Sequence, residues 1–181
     1  MIAQSLHMQY GKALHEIVMK SSASEQVLEN LNSLAQISRD QNFLELMRKI
    51  ASLPKETIKK ILAKVFDGEV NNSVLNLLVL LTIKKHFQQI PKIFESYKKI
   101  YFRDKNILEI SVHVAKKLQQ DEENHLIQEL QKRTDQKISV NFQENPALIG
   151  GVQFYERGHV TDYSIKNYLE NLRKYLLATQ Q

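Results

Sequence analysis

The sequence contains no cysteine and no tryptophan, and only 5 glycines and 3 prolines among its 181 residues. Without cysteine there are no disulfides and no thiolate metal sites, which suits a reducing compartment. Few glycines and prolines mean few encoded turns and breakers, so long helices are expected. No apolar run reaches the ~20 residues that a membrane-spanning helix needs. The most apolar stretch, Val74–Ile83, is about half that length. It reads as a buried helix, so any membrane association goes through a partner. Met1–Ser5 shows no basic segment leading into an apolar run, and no signal peptide is expected. No internal repeat or low-complexity segment is present.

What remains is an ordinary globular balance, 43% hydrophobic and 25% charged, sufficient to build a core. The net charge of +5 is uneven. Residues 1–104 hold 15 Lys+Arg against 10 Asp+Glu, whereas residues 105–181 hold 10 of each. Two electrostatically different parts suggest two domains. The basic part suits nucleic acid or an acidic protein surface.

Apolar spacing predicts helices throughout the first part. Residues 3–20 carry Leu6, Tyr10, Ala13, Leu14, Ile17 and Val18. Ser22-Ala23-Ser24-Glu25 has the pattern of a capping box, opening a helix with Val27, Leu28, Leu31, Leu34 and Ile37. A third segment carries Phe43, Leu44, Met47 and Ile50. A fourth follows Pro54, with Ile58, Ile61, Leu62, Val65 and Phe66, and stops at Asp67-Gly68. The Val74–Ile83 run is apolar almost all round and is expected at the centre of a bundle. A sixth helix spans 88–103, with Pro91 tolerated in its first turn; Tyr97 and Tyr101 share the register of Ile90, Ile93 and Phe94 and should pack inward.

The period then changes to two. Leu108, Ile110, Val112 and Val114 alternate in a strand, as do Ile138, Val140 and Phe142. Between them, Asp121 is a candidate cap for a helix with Leu126, Ile127 and Leu130. Leu148–Phe154 reads as a further strand, turned by Glu156-Arg157-Gly158-His159 into Val160-Thr161. Asp162 is a candidate cap for a last helix with Ile165, Tyr168, Leu169, Leu172 and Leu176. The expected fold is mainly α: a bundle of about six helices over 1–104, followed by a small α/β domain over 105–181. The boundary is expected near Arg103–Asn106, without a flexible linker.

Candidate chemistry is sparse. Glu122 and His125 have the Glu-x-x-His spacing of a di-iron helix, but such a site needs a second copy and two further carboxylates. His7, His15 and His113 have no metal-site company and read as surface residues. His159, Asp162 and Ser164 include triad residue types, yet a triad's members usually come from separate elements, and Ser164 lacks a nucleophile elbow. Gly150-Gly151 matches neither phosphate-loop pattern and reads as a bulge or a close backbone approach. Residues 48–103 carry 12 Lys+Arg against 4 Asp+Glu. That cluster supports an alternative reading as a basic helical RNA-binding factor, though charge alone gives only non-specific affinity. Neither catalysis nor a metal nor a cofactor is expected.

One pattern is more specific. Asn145-Pro146-Ala147-Leu148-Ile149-Gly150-Gly151, then Gly158, then Asp162-Tyr163-Ser164-Ile165, then Leu169 and Leu172, closely resembles the motif of the F-type ATP synthase delta subunit family. That family includes the mitochondrial oligomycin-sensitivity-conferring protein. Tyr10-Gly11-Lys12-Ala13-Leu14 resembles the family's first helix, with Gly11 where Ala is usual. Asn145 stands for the usual Asp, and Lys84-Lys85-His86 replaces a frequent Gly-Arg pair. The resemblance extends over the whole chain.

The resemblance implies a non-catalytic subunit at the top of the peripheral stalk, or stator, of a proton-translocating synthase. The bundle would bind the N-terminal helices of the alpha subunits of the catalytic head, in a groove between the first and fifth helices. That groove points to Tyr10, Ala13, Leu14, Ile17, Leu75, Leu78 and Val79, some of which must be core. The α/β domain would bind the C-terminal end of the b-subunit stalk. Pro146, Leu148, Ile149, Gly150, Gly151, Gly158, Asp162, Ser164 and Ile165 would be structural motif residues. No nucleic acid and no membrane insertion are implied, and the place would be peripheral, at the cytoplasmic face of the bacterial plasma membrane.

Overall fold

A computed structural model describes residues 5–19, 23–66 and 68–178. The chain divides into two compact units, Met1–Tyr101 and Phe102–Gln181, with the division in the last turn of the sixth helix.

The first unit consists of α1 (Leu6–Val18), α2 (Ser24–Ile37), α3 (Gln41–Ile50), α4 (Lys55–Val65), α5 (Asn72–Ile83) and α6 (Ile90–Asp104), with a 3-10 turn at Phe87–Gln89. Polar side chains open several of them. Asp40 Oδ1 accepts from the N–H of Asn42 to start α3, and Asn71 Oδ1 accepts from that of Ser73 to start α5. Ser22 and Asp67, expected to start α2 and to end α4, lie outside the described residues; Gly68 takes φ +78° after α4.

Helix α5 buries Val74, Leu75, Leu77, Leu78, Val79, Leu81 and Thr82, and α1, α2, α3 and α4 all pack on it. It is the central helix, as its all-round apolarity predicts. Tyr97 and Tyr101 point inward. Tyr97 is fully buried, its hydroxyl donates to the Ser24 carbonyl at 3.1 Å, and its ring stacks on Tyr101. Burial pushes the Tyr97 phenol up to about 12, against the opposing pull of that hydrogen bond. Helices α1 and α6 approach closely at Gly11, where a β-carbon would lie 3.0 Å from Ser96 Cβ and 3.1 Å from the Tyr97 nitrogen.

The histidines of α1 correct one expectation. His15 is buried, edge-on to Tyr97 with ring centroids 5.8 Å apart. His7 is half-buried. Ser96 Oγ donates to the Lys92 carbonyl, so His7 Nδ1–H donates to Ser96 Oγ, at 2.9 Å. Gly11, Leu14, His15 and Val18 form one i, i+3, i+4, i+7 face, and it is the buried face of α1.

The second unit contains β1 (Ile107–Val114), α7 (Gln120–Lys132), β2 (Lys137–Glu144), β3 (Gly151–Glu156), β4 (His159–Ser164) and α8 (Ile165–Ala178). The sheet order is β2-β1-β3-β4. β1 and β2 run parallel, as a strand–helix–strand crossover requires; β1–β3 and β3–β4 are antiparallel. Leu108, Ile110, Val112 and Val114 share the buried face, packed against Leu126 and Leu130 of α7 and against Ile138, Val140, Phe142, Val152 and Phe154.

Three local expectations change. The cap of α7 is Gln119, in a reciprocal box with Glu122, and Asp121 lies in the first turn. Leu148, expected to open a strand, instead closes a 3-10 turn, Pro146–Leu148, because Asn145 Oδ1 accepts from the N–H of Ala147 and curls the chain. Strand β3 therefore starts only at Gly151. Finally, Asp162 is still in β4, and the residue capping α8 is Ser164, whose Oγ accepts from the Asn167 N–H.

Candidate partner-binding surfaces

The seven bundle residues singled out for the head divide by burial. Leu14, Leu75, Leu78 and Val79 are buried and belong to the core. Tyr10 is half-buried, its hydroxyl 3.1 Å from His86 Nδ1, which ties α1 to the turn after α5. Ala13 and Ile17 are exposed. Together with Glu16 and Met19 they line an open, mostly apolar hollow of about 950 Å³. Ile17 is 60% exposed and Met19 56%, so two large side chains of one helix end lie in water without cover. Leu80 and Ile83 of α5 are also exposed. Met19, Leu80 and Ile83 were not among the residues expected from sequence. The sequence does not single them out: α5 is apolar almost all round, and Met19 lies at the C-cap just past α1.

The motif residues of the second unit gather at one junction, apart from Gly158, which lies at the other end of the β3–β4 hairpin. Gly151 has φ +79°, and a β-carbon there would collide with the Tyr163 carbonyl oxygen. At Gly150 a β-carbon would lie 2.6 Å from Ile165 Cδ1, and the Ile165 N–H donates to the Gly150 carbonyl at 3.0 Å. The glycine pair lets the start of β3 pass directly against the start of α8. Leu148 and Ser164 are buried there, whereas Pro146, Ile149 and Ile165 are exposed. Gly158, φ +85°, forms the β3–β4 turn with Arg157, φ +47°, the positive-φ pair of a tight hairpin. Asp162 braces the junction. Its Oδ1 accepts from the Ser164 N–H at 2.8 Å and its Oδ2 from Gln153 Nε2 at 2.9 Å. Hydrogen bonds from Ser164 hold its carboxyl below the usual carboxylate range.

No nucleophile–base arrangement emerges from these residues. Strand alternation puts Asp162 and Ser164 on one face of β4 and His159 on the other. Among the described residues no group of three or more His, Asp or Glu side chains could hold a metal ion. No helix among them is long and apolar enough to cross a membrane.

The model of the ATP synthase delta (OSCP) subunit family matches residues 6–176. The chain belongs to that family. The ATP synthase subunit delta of Clostridium kluyveri is 27% identical over 179 residues, 97% of each chain. That of Acetivibrio thermocellus is 29% identical over 177 residues, 96% of this chain and 98% of its own. The sodium-ion-specific delta subunit of Propionigenium modestum is 26% identical over 175 residues, 96% and 99% of the two chains. A chain in the cryo-EM structure of the Toxoplasma gondii mitochondrial ATP synthase hexamer has the same fold, with TM-score 0.68 at 18% identity, over 96% of this chain and 98% of that one. Members of the delta/OSCP family are structural, non-catalytic stator subunits, and this family member is therefore a part of the ATP synthase peripheral stalk and not an enzyme.

The RNA-binding reading finds no support in these matches. The local chemistry also disfavours it: Tyr97 and Tyr101, which flank Lys98-Lys99 in the basic stretch, are buried and cannot stack on bases.

Proposed function

We propose that this delta subunit is the adaptor at the top of the stalk of a proton-translocating F-type synthase. The bundle grips the N-terminal helices of the alpha subunits of the head. The α/β unit grips the C-terminal end of the b subunit. Head and stalk then cannot turn with the central rotor, and torque is delivered to the catalytic sites. The protein is peripheral, held at the cytoplasmic face of the bacterial plasma membrane through its partners.

The observation that carries this reading is an apolar surface left uncovered beside the core in a chain of this family. Ala13 and Ile17, one turn apart on α1, and Met19 at its C-cap line this apolar surface, which suits an amphipathic helix laid along the bundle. Tyr10 forms the end of that track. Leu14, Leu75, Leu78 and Val79 act beneath it, setting the positions of α1 and α5.

A tagged full-length chain, expressed in its own cells, tests the proposal by recovery from detergent-solubilised membranes. The expected result is co-recovery of alpha and b subunits, and restored ATP synthesis in cells lacking the native copy. Recovery of neither subunit overturns it.

A further inference from the structure

Strand β2 is an edge of the sheet, and no other strand among the described residues pairs with its outer side. Natural edges are shielded by shortness, proline, a bulge or a charge at mid-strand. β2 has none of these. It is eight residues long, its register with β1 is unbroken from Lys137 to Glu144, and those two ends carry its only charges. The other edge, β4, is shorter and runs straight into α8, whose Asn167 Nδ2 donates to the Asp162 carbonyl.

Burial shows the same asymmetry. Leu108, Ile110 and Val112 of β1 are buried, whereas their neighbours on β2, Ile138, Val140 and Phe142, are only half-buried. Helix α7 leaves room on that side. Its Leu126 and Leu130 pack on the β1 core, and Arg133, on one flank of that line, shares a hollow with Phe154 and Tyr163 of β3 and β4. Ile127 lies about 100° round from Leu126 on the opposite flank. In a right-handed crossover that flank turns toward the free edge of β2, and Ile127 is half-buried there. A strand added to β2 would have Ile127 above it and an apolar neighbour at every second residue.

The strand that fits must alternate apolar and polar residues in phase with β2 and set no like charge against Lys137 or Glu144. The β2 strand of a second copy does so. Antiparallel pairing about a two-fold axis at Val140 sets Val140 against its own counterpart, Ile138 against Phe142, Ser139 against Asn141 and Lys137 against Gln143. Apolar residues then meet on the α7 face and polar ones on the other. Paired strands lie ~4.8 Å apart, so two α7 helices, each riding over its own β1–β2 pair, would stand about 10 Å apart. That is a helix-packing distance, with Ile127 of each copy turned toward the other.

We infer that the free edge of β2 pairs with β2 of a second copy, joining two four-stranded sheets into one. The β4–α8 junction lies at the opposite edge of the sheet and stays open. The inference does not rest on the stator reading.

Sedimentation of the full chain over a concentration series tests it. A single strand edge belongs with transient contacts, under roughly 1,200 Å², so a dimer that dissociates in the micromolar range is expected. Asn141→Lys, at an exposed position, gathers cations beside both Lys137 side chains. It is expected to weaken the dimer about tenfold or more while the circular dichroism is unchanged. Mixing that variant with Ser139→Glu is expected to restore pairing, since the new charges face each other across the axis. The chain has no cysteine, so one introduced thiol reports the register. Val140→Cys is expected to give a disulfide-linked dimer on mild oxidation, and Asn141→Cys, which faces Ser139, is not. A chain that stays monomeric up to millimolar concentration overturns the inference. So does a dimer that Asn141→Lys leaves intact, or one that Leu172→Asp on α8 dissociates instead. A monomer whose β2 amides gain protection from exchange only in the assembled synthase gives the edge to another subunit and overturns it as well.

Discussion

Gly151 and Gly150 are adjacent and are small for different reasons. Gly151 combines φ +79° with the Tyr163 carbonyl where a β-carbon would stand, and backbone on both sides cannot rotate away. At Gly150 the obstacle is the end of the Ile165 side chain, which has other rotamers. Gly151→Ala is therefore expected to destabilise the second unit by about 1–3 kcal/mol, and Gly150→Ala by less than about 1 kcal/mol. Denaturant titration followed by tyrosine fluorescence measures both. A larger loss at Gly150 would contradict the assignment of backbone strain to Gly151. Valine at either site would do more damage than alanine, since its branch adds to the crowding.

At the scale of elements, the end of β4 and the start of α8 are held by one short relay. Asp162 accepts from the Ser164 N–H, and Ser164 in turn accepts from the Asn167 N–H. Ser164→Ala removes the cap and is expected to cost about 1 kcal/mol, seen as faster amide exchange through the first turn of α8. Asp162 adds a pH dependence. Its folded pKa lies below the unfolded value of roughly 3.9. Its stabilisation is complete above the unfolded value and is lost as pH falls through the lower, folded one. Exchange at Ser164 to Asn167 should therefore accelerate only in strongly acidic solution, and Asp162→Asn should flatten that acid limb. An unchanged limb in the variant would remove Asp162 from the relay.

The same junction marks what was and was not legible in the sequence. Helical and alternating periods correctly indicate α1 to α6, β1 and β2, because a buried face imposes its period on the residues that line it; α8 carries the same helical period although its apolar stripe is exposed. Caps and short turns were misplaced by two or three residues. Asp162 and Ser164 are both good caps, and the pairing of Asp162, Tyr163 and Ser164 with Gln153, Val152 and Gly151 across the hairpin decides that the strand runs on to Ser164. Asn145-Pro146 lies between two apolar runs, and a side-chain hydrogen bond within the loop makes it a turn. His15 was assigned to the surface by residue type, although its spacing from Gly11, Leu14 and Val18 already placed it on the buried face.

For the whole molecule, the separation of core from contact decides function. Leu14 and Ile17 are neighbours in one apolar helical pattern, and sequence alone gives no reason to treat them differently. Burial does: Leu14 is 3% exposed and Ile17 is 60% exposed. A residue that only packs should change stability when altered, and one that only contacts a partner should change binding. Leu78, 1% exposed on the central helix, serves as the packing case: Leu78→Ala is expected to cost 2–5 kcal/mol, roughly, through lost burial and the cavity left behind. Ile17→Glu, on the open hollow, is expected to leave stability within about 0.5 kcal/mol. It should weaken binding of an alpha-subunit N-terminal peptide about tenfold or more, since a charge would sit where an apolar anchor is needed. Calorimetry on both variants reads stability and affinity side by side. If Ile17→Glu binds as the wild type does, while the wild type still recovers the head from membranes, the head uses another face of the bundle. The exposed Leu80 and Ile83 of α5 would then be the next positions to alter.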